Sequence, residues 1–464
     1  MTNLKTILVA STAMALAGAA WADNNEAWLD QIGSNHSAMI NQAAGSNNKA
    51  GANGNSVTQS SLNTSLGNTL TITQSGDDND VGLGVILNRN SGFFQLNQSG
   101  QGSTATVSQT SNGNSIVTIN QVARTGNFIG NSLTVTQEVG DDNSIGAISQ
   151  DRSGSTDGTV AGRIGHTATI LQSGSANEIG LARQGTQFDE SAANGMSLEQ
   201  TGADNYIGNA IQSGTSNSMT AVFTGNDNGA DNGKGTTSFG SGIATFADDA
   251  GVPQGDLTQI GDSNFIDMMV TADRTYFGIQ QTGDRNRVDP ITITGTRNEL
   301  GILQQGNYNL ASVSDIATFG NNIGIRQVQD NNTATVSFGT GVLGGNKFGI
   351  LQDGMWNTAS VSISDGGANG IVPPYASLAG PAGLVAGTAG FERGMIKQLG
   401  DLNAATITVV GSENEFGTLQ DGNDNFLSAS MTGTLNVSAI AQVGSNNLSS
   451  TSQNGSNNNL GVSQ

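Results

Sequence analysis

The residues that could do chemistry are few in this chain of 464 residues. It contains two histidines, His36 and His166, and no cysteine. Histidine is the usual general base and metal ligand near neutral pH. Two histidines this far apart suggest neither a Ser-His-Asp triad nor a histidine-rich metal site. We therefore expect no catalytic residues, no cofactor and no metal centre, and we predict that the protein is not an enzyme.

Acidic turns are the other candidates for ligand binding. Residues 76–80 read Gly-Asp-Asp-Asn-Asp, and residues 140–143 read Gly-Asp-Asp-Asn. Oxygen-rich turns of this kind can bind Ca²⁺. The chain lacks the Gly-Gly-x-Gly-x-Asp repeat of calcium-binding β-rolls. Two interpretations stay open, solvated turn carboxylates or calcium ligands, and the sequence favours the first.

The spacing of Gln, Gly and Asn is the most regular feature of the chain. From residue 398 onward the pattern Gln-x-Gly-x-x-Asn recurs every eleven residues, with Val409 and Met431 replacing two glutamines. Such recurrence predicts a solenoid. Complete copies of the pattern also begin upstream, at Gln74, Gln172, Gln200, Gln212, Gln259, Gln281, Gln304 and Gln352. We expect these C-terminal residues to form the assembly ladder and its turns: Gln398, Gly400, Asn403, Asn414, Gln420, Gly422, Asn425, Asn436, Gln442, Gly444, Asn447, Gln453, Gly455 and Asn458.

Between the turns, apolar side chains alternate with small or polar ones. After Asn403, the apolar residues Ala405, Ile407 and Val409 occupy every second position. A period of two predicts a strand with one buried face. Strands of about seven residues leave about four for a turn that contains the glycine. The sequence therefore predicts an all-β, two-sheet β-solenoid with strand-turn-strand-turn coils of about 22 residues, roughly 16 of them, stacked about 4.8 Å apart in a cross-β, amyloid-forming arrangement.

The recurring Gln and Asn side chains lie at the ends of the inward face. Stacked on its equivalent in the next coil, each side-chain amide can donate to one neighbour and accept from the other. This ladder would also fix the register, because a slip of one residue would expose the apolar face. His36 and His166 occupy positions that the repeat assigns to Asn. We expect both to substitute for Asn in the ladder.

The chain divides into a leader and one repetitive domain. Residues 1–22 contain a short apolar stretch behind Lys5 and end in Ala-Trp-Ala, which predicts a cleavable secretory signal. We predict that residues 23–464 form the solenoid. Four interruptions, near 151–165, 185–193, 229–252 and 365–391, are predicted loops extruded from single coils. The last contains Pro373, Pro374 and Pro381, and proline is poorly tolerated within a sheet.

Charge restricts the partners. The formal net charge is −21, and we expect this repulsion to keep the monomer soluble and to slow its association. Only Arg285, Arg287 and Arg297 are loosely grouped, so we expect no nucleic-acid partner. No segment after the leader is long and apolar enough to predict a membrane span.

The repeat resembles that of the curlin family, the secreted subunits of bacterial amyloid fibres. Residues 352–359 (Gln-Asp-Gly-Met-Trp-Asn-Thr-Ala) and 398–405 (Gln-Leu-Gly-Asp-Leu-Asn-Ala-Ala) carry the family's central motif, and the likeness covers nearly all of residues 23–464. The resemblance implies export through the periplasm and a dedicated outer-membrane pore, followed by polymerisation at the cell surface into biofilm matrix, with a separate nucleator subunit as partner. This chain departs from the family pattern in its many repeats and long interruptions.

Three functions agree with these patterns. The first is a structural subunit that self-assembles into extracellular curli-like fibres, because Asn458, Leu460, Val462 and Gln464 continue the inward pattern and we expect an uncapped edge there. The second is a nucleator or minor fibre subunit. The third is a secreted β-solenoid adhesin that does not polymerise, which an end cap would favour.

Overall fold

A computed structural model gives the fold. It describes residues 24–52, 56–61, 67–82, 96–123, 130–151, 165–185, 193–229, 252–338, 344–364, 366–370, 380–389 and 394–464. The predicted secretory signal, residues 1–22, lies outside the described residues.

The described residues contain thirty-four strands in two parallel sheets, which we call sheet A and sheet B. Sheet A contains β1 (Glu26–Ala27), β2 (Leu29–Ile32), β4 (Lys49–Ala50), β5 (Val57–Ser60), β7 (Asp80–Val81), β8 (Leu96–Ser99), β10 (Ser115–Val122), β12 (Ser144–Asp151), β14 (Glu178–Gly185), β16 (Tyr206–Ser213), β18 (Asp256–Ile260), β20 (Tyr276–Thr282), β22 (Glu299–Gln305), β24 (Asn322–Val328), β26 (Lys347–Asp353), β28 (Met395–Leu399), β30 (Glu415–Asp421), β32 (Val437–Val443) and β34 (Asn459–Ser463). Sheet B contains β3 (Ser37–Ala44), β6 (Thr69–Ser75), β9 (Thr104–Gln109), β11 (Ser132–Glu138), β13 (Thr167–Ser173), β15 (Gly195–Thr201), β17 (Ser218–Thr224), β19 (Phe265–Thr271), β21 (Arg287–Ile293), β23 (Leu310–Ile316), β25 (Thr333–Phe338), β27 (Thr358–Ser364), β29 (Ala404–Val410), β31 (Phe426–Thr432) and β33 (Leu448–Asn454).

Between the two ends of the stack, each strand pairs with the strand one coil before it and with the strand one coil after it, always in parallel. The first three levels of sheet A each consist of two short strands, β1 with β2, β4 with β5, and β7 with β8. The 19 strands of sheet A therefore make sixteen levels, and the 15 strands of sheet B make fifteen. The prediction of a two-sheet β-solenoid with about 16 coils is confirmed.

The core lies between the sheets and follows the predicted alternation. In β29, Ala405, Ile407 and Val409 are buried, whereas the residues between them are more exposed. Aromatic rings contact each other across the core, and Phe223 and Phe277 stack with their centroids 4.7 Å apart. One apolar cluster runs the length of the stack, so neighbouring coils share a single core.

Each regular turn uses two residues with positive φ, and the sequence predicted only the first. Gly422 has φ of +124°, and a Cβ at this position would lie 2.0 Å from the carbonyl oxygen of Gly444 in the next coil. Asp424, two residues later, adopts the left-handed conformation with φ of 56°. The glycine is therefore required both by its backbone conformation and by the close approach of the next coil.

The insertion predicted at 365–391 is shorter than expected and is not simply a loop. Residues 366–370 still belong to the repeat, because the side chain of Asn369 accepts a hydrogen bond from the backbone of Asn414 at 3.0 Å. Gly380–Ala389 form a helix, α1. Proline is well tolerated in the first turn of a helix, which explains how Pro381 fits. The other three insertions lie mostly outside the described residues, which stop at Asp151, Gly185 and Gly229 and resume beyond them.

Helix α1 packs on the outer face of sheet A near its last levels. Ala382 and Ala386 are buried against Leu419, Ala439 and Ala441. The backbone N–H of Ala382 donates to the Asn459 side chain at 2.9 Å, which satisfies a donor in the first turn of the helix. No helix in the described ranges is long and apolar enough to cross a membrane.

We predict that Gly461→Ala releases α1 from the sheet. A Cβ at Gly461 would lie 2.3 Å from the backbone oxygen of Pro381, a distance that forces the helix or the strand to move. Hydrogen-exchange mass spectrometry should show faster exchange in residues 380–389 and unchanged exchange in β29 and β31. Ser463→Ala, an outward change on the same strand, is the control. Unchanged exchange of α1 in Gly461→Ala would contradict this packing.

Candidate functional site

An unbroken column of glutamine side chains runs through all sixteen levels of sheet A. Each Nε2 donates to the Oε1 of the next glutamine at 2.7–3.0 Å. The column bridges the insertions, since Gln212 donates to Gln259 and Gln352 to Gln398, both at 2.9 Å. Its members are Gln31, Gln59, Gln98, Gln121, Gln150, Gln184, Gln212, Gln259, Gln281, Gln304, Gln327, Gln352, Gln398, Gln420, Gln442 and Gln464.

The column has a direction. Every side-chain amide donates toward the C-terminal end of the stack, as Gln420 does to Gln442 at 3.0 Å. The second N–H of the Gln420 side chain points to two main-chain carbonyls, that of Ala404 at 3.0 Å and that of Asn425 at 2.9 Å. These carbonyls accept only from the nitrogen, so they fix which end of the amide faces which neighbour. The ladder is therefore polar, with amide oxygens toward the first level and amide nitrogens toward the last.

Sheet B carries a second glutamine column that is interrupted. Its first part is Gln42, Gln74, Gln109, Gln137, Gln172 and Gln200, again linked at 2.8–2.9 Å. Apolar residues then take the position, from Phe223 to Met431, before Gln453 restores a glutamine in the last strand. The buried Oε1 of Gln453 has no hydrogen-bond partner, because its neighbour in the column is Met431.

Two asparagine columns, one along each turn, bond mainly to the backbone of the next level. The Oδ1 of Asn403 accepts from the backbone N–H of Asn425 at 3.2 Å, and its Nδ2 donates to the carbonyl of Gly422 at 2.7 Å. Asn425 in turn donates from Nδ2 to the Oδ1 of Asn403 at 3.0 Å. The prediction of simple side-chain stacking is thus incomplete, since each Asn also fastens the turn of the following coil.

Both histidines lie in an asparagine column, as the sequence predicted. The Nδ1 of His166 accepts from the backbone N–H of Asn194 at 3.2 Å, and the Nδ1 of His36 accepts from that of Asn68 at 3.1 Å. The ring nitrogen therefore takes the place of the Asn oxygen.

Turn carboxylates form a further ladder that the sequence did not predict. Asp262 accepts from the backbone N–H of Thr215 at 2.7 Å, and Asp284 accepts from that of Asp262 at 2.8 Å. Asp77 and Asp141 accept equivalent bonds at the opposite turn. The sequence feature that could have predicted this ladder is the Asp, Asn or Ser that follows each turn glycine. Among the described residues, no group of three or more His, Cys, Asp or Glu side chains could hold a metal ion.

Among the described residues, two carboxyl groups have shifted pKa values. Burial raises the pKa of Asp256 above its ordinary 3.8, although hydrogen bonds from Asn209 oppose the shift. The Nδ2 of Asn209 lies 2.9 Å from both oxygens of Asp256. Burial also raises the pKa of Asp80, and the charge of Lys49 opposes it. Asp256 begins β18, directly after the insertion at 229–252.

The structure distributes the predicted ladder residues among separate columns. Gln398, Gln420 and Gln442 lie in the sheet A column, and Gln453 lies alone at the end of the sheet B column. The two asparagine columns divide the remainder. Asn403, Asn425 and Asn447 line one turn, Asn414, Asn436 and Asn458 line the other, and Gly400, Gly422, Gly444 and Gly455 lie in the turns at positive φ.

Comparisons with known proteins do not add a family to this description. No family model matches the chain, and no curated protein matches it. The function is therefore argued from the geometry of the ladders and of the sheet edges.

We predict that Gln281→Ala destabilises the fold by roughly 2–4 kcal/mol, because it leaves a donor on Gln259 and an acceptor on Gln304 unpaired in the core. Gln280→Ala, one residue away on the outer face, should change stability by less than about 0.5 kcal/mol. Urea unfolding followed by circular dichroism measures both. Equal effects of the two substitutions would contradict a stabilising ladder.

We predict that Asp256→Asn stabilises the folded chain at neutral pH. The raised pKa means that the folded chain keeps a proton that the unfolded chain releases, so wild-type stability increases as the pH falls through the raised pKa. The substituted amide side chain carries no charge, so the stability difference between variant and wild type should shrink as the pH approaches 3.8. Urea midpoints measured from neutral pH down to pH 3.8 test this. A difference that does not depend on pH would refute it.

Proposed function

We propose that this protein is a secreted structural subunit that self-assembles end to end into extracellular, curli-like amyloid fibres of a biofilm matrix. The observation that carries the proposal is the polar glutamine ladder, whose two ends are chemically complementary. The sequence resemblance to the curlin family supports the same function. The expected secretory signal supports an extracellular location.

Sheet edges are the first requirement for such growth. In the described part of the chain, β33 pairs only with β31, and β34 only with β32. At the other end, β3 pairs only with β6. Strands paired on one side present a row of backbone N–H and C=O groups to an incoming strand. Both ends of the stack can therefore continue the two sheets by adding strands of another copy.

The amide ladder makes one orientation of the incoming copy favourable. Gln464 directs Nε2 toward Leu448 and away from Gln442, to which its Oε1 is bonded at 3.0 Å. At the opposite end, Gln31 and Gln42 donate into the stack, so their oxygens face outward. Donors at one end and acceptors at the other favour head-to-tail addition. Two copies meeting at like ends would bring donor to donor or acceptor to acceptor.

Backbone N–H groups at the C-terminal edge provide a direct test of growth by strand addition. In β31 the N–H of Phe426 donates toward the next level, to Asn447, and every second residue of a strand faces the same way. By the register of the strands, the N–H of Ser452 and the N–H of Ser463 face the open side. Both side chains are exposed. Proline at these two positions removes edge donors without removing a hydrogen bond inside the coil.

We predict that the double variant Ser452→Pro, Ser463→Pro folds but elongates wild-type seeds at least tenfold more slowly, because two edge hydrogen bonds of about 1 kcal/mol each are lost. Amyloid-dye fluorescence and electron microscopy of seeded reactions measure the rate. The matched control, Ser452→Ala with Ser463→Ala, should elongate at the wild-type rate.

A third variant tests the assigned geometry. Ser430→Pro lies at the equivalent position one level inside the stack, so it should disturb the fold of the monomer itself. Wild-type elongation by the folded double proline variant would overturn growth at this edge. A wild-type chain that stays a folded monomer in the presence of seeds would overturn the proposed function.

A further inference from the structure

Exposed bulky side chains line one turn of the solenoid at successive levels. This turn leads from a sheet A strand to the next sheet B strand, and the six levels concerned, residues 283–287, 306–310, 329–333, 354–358, 400–404 and 422–426, are all described. The residue just before the column asparagine points outward at each level, and its backbone N–H donates to the level below, as Leu402 does to Met355 at 2.9 Å. We call these six residues the ridge: Arg285, Tyr308, Asn331, Trp356, Leu402 and Asp424.

The fold itself does not account for the large side chains of the ridge. Tyr308, Trp356 and Leu402 are 49%, 58% and 52% exposed, and their φ angles are 59°, 60° and 59°. Bulky residues rarely adopt this left-handed conformation, which Asn and Asp tolerate better. Elsewhere on the same turn the position holds small or polar residues, such as Ser263 and Asn446. Large apolar groups at strained, solvent-facing positions indicate a contact surface.

The two ends of the ridge carry opposite charges. Arg285 lies at one end, with its guanidinium carbon 5.2 Å from the centroid of the Tyr308 ring. Asp424 lies at the other end, is exposed, and forms no salt bridge among the described residues. The two residues are five levels apart, about 24 Å along the stack, so they cannot meet within one chain. Such a ridge is complementary to an inverted copy of itself.

A two-fold axis between the levels of Asn331 and Trp356 brings the ridge against a second copy. The order of the levels then sets three kinds of pair opposite each other: Arg285 with Asp424, Tyr308 with Leu402, and Asn331 with Trp356. The apolar groups lie in the middle of this contact and the ion pairs at its ends. Charged pairs at the rim of an interface fix its register.

A second row, formed by the residues that follow the turn glycines, favours the same register. Its order is fixed by bonds between levels, such as that from the Asn307 N–H to Asp330 at 2.7 Å. With the axis placed as above, no carboxylate in this row faces another. The opposed pairs are Asp284 with Asn423, Asn307 with Asp401, and Asp330 with Met355. A shift of the axis by one level sets Asp330 against itself or against Asp401, which like-charge repulsion disfavours.

We propose that the ridge joins two fibres side by side in antiparallel orientation, ridge against ridge. This contact rests on the proposed function, because a strip about 24 Å long falls short of the roughly 800 Å² per partner that a stable interface needs. Isolated monomers should therefore stay apart. A fibre presents the ridge once per molecule, and the repeated contacts act together. The ridge adds lateral pairing to the growth of fibres at their ends.

Electron microscopy of fibres and amyloid-dye fluorescence measure lateral pairing and elongation separately. Trp356→Asn places a residue there that tolerates the left-handed conformation. It should lower the fraction of paired fibres roughly tenfold, as expected for the loss of a central Trp, and leave elongation unchanged. Leu435→Asn is the control, because Leu435 is exposed with φ of 58° on the opposite turn. It should leave pairing unchanged.

A charge exchange tests the antiparallel register. Arg285→Asp should abolish pairing, and adding Asp424→Arg should restore it, which only contact between two chains can do. Arg285→Asp combined with Glu413→Arg has the same net charge, but Glu413 lies on the opposite turn, where it is exposed at positive φ. This second double variant should not restore pairing.

The two readouts separate the possible failures. Wild-type fibres that stay single, pairing that neither Trp356→Asn nor Arg285→Asp reduces, or equal pairing by the two double variants would overturn the ridge contact and leave fibre growth standing. A wild-type chain that forms no fibres would overturn the proposed function and this contact with it.

Discussion

The side-chain amide ladder is the constraint on which the rest of the structure depends. A glutamine buried between two sheets needs partners for its oxygen and both of its N–H groups, and an unpaired buried amide group costs about 1–3 kcal/mol. When glutamines stack at the strand spacing, the side-chain N–H of each one bonds to the side-chain oxygen of the next, provided that every coil keeps the same register. The sixteen glutamines of sheet A meet this condition through insertions as long as that between Gln212 and Gln259. Parallel pairing, in-register strands and turns of fixed shape all follow from it.

The direction of the amide hydrogen bonds connects this ladder to the proposed function. Symmetric side-chain contacts would allow copies to meet in either orientation, whereas amides that all donate one way distinguish the two ends of the stack. Gln453 illustrates the point at the last strand of sheet B. Within its own chain, Gln453 faces Met431 and its buried side-chain oxygen has no hydrogen-bond partner. The neighbouring coil therefore adds no hydrogen bond to that oxygen. In the proposed assembly, a glutamine at this position would donate toward the open side, to an acceptor on the incoming copy.

The sequence predicted the repeating part of this architecture well and its exceptions poorly. The eleven-residue spacing and the alternation of apolar and polar residues predicted the strands, the turn glycines and the substitution of His36 and His166 for Asn. Each of these features depends on one local position in the repeat. Helix α1 was missed, since its Gly, Ala and Pro composition indicates a loop until Ala439 and Gly461 on the sheet surface provide room for it. The left-handed conformation of residues such as Leu402 was also missed, because the stacked turns impose it against the residue's own preference.

Mass per unit length of single fibres tests the central claim most directly. If coils of one chain stack along the fibre axis, sixteen levels at about 4.8 Å give about 77 Å per molecule. With a chain mass of 47.1 kDa, scanning transmission electron microscopy of single filaments should then give about 0.6 kDa per Å. If each chain instead contributed one layer to a stack of separate chains, one molecule would occupy about 4.8 Å and the value would be about sixteen times larger. That result would contradict the intramolecular ladder as the unit of assembly.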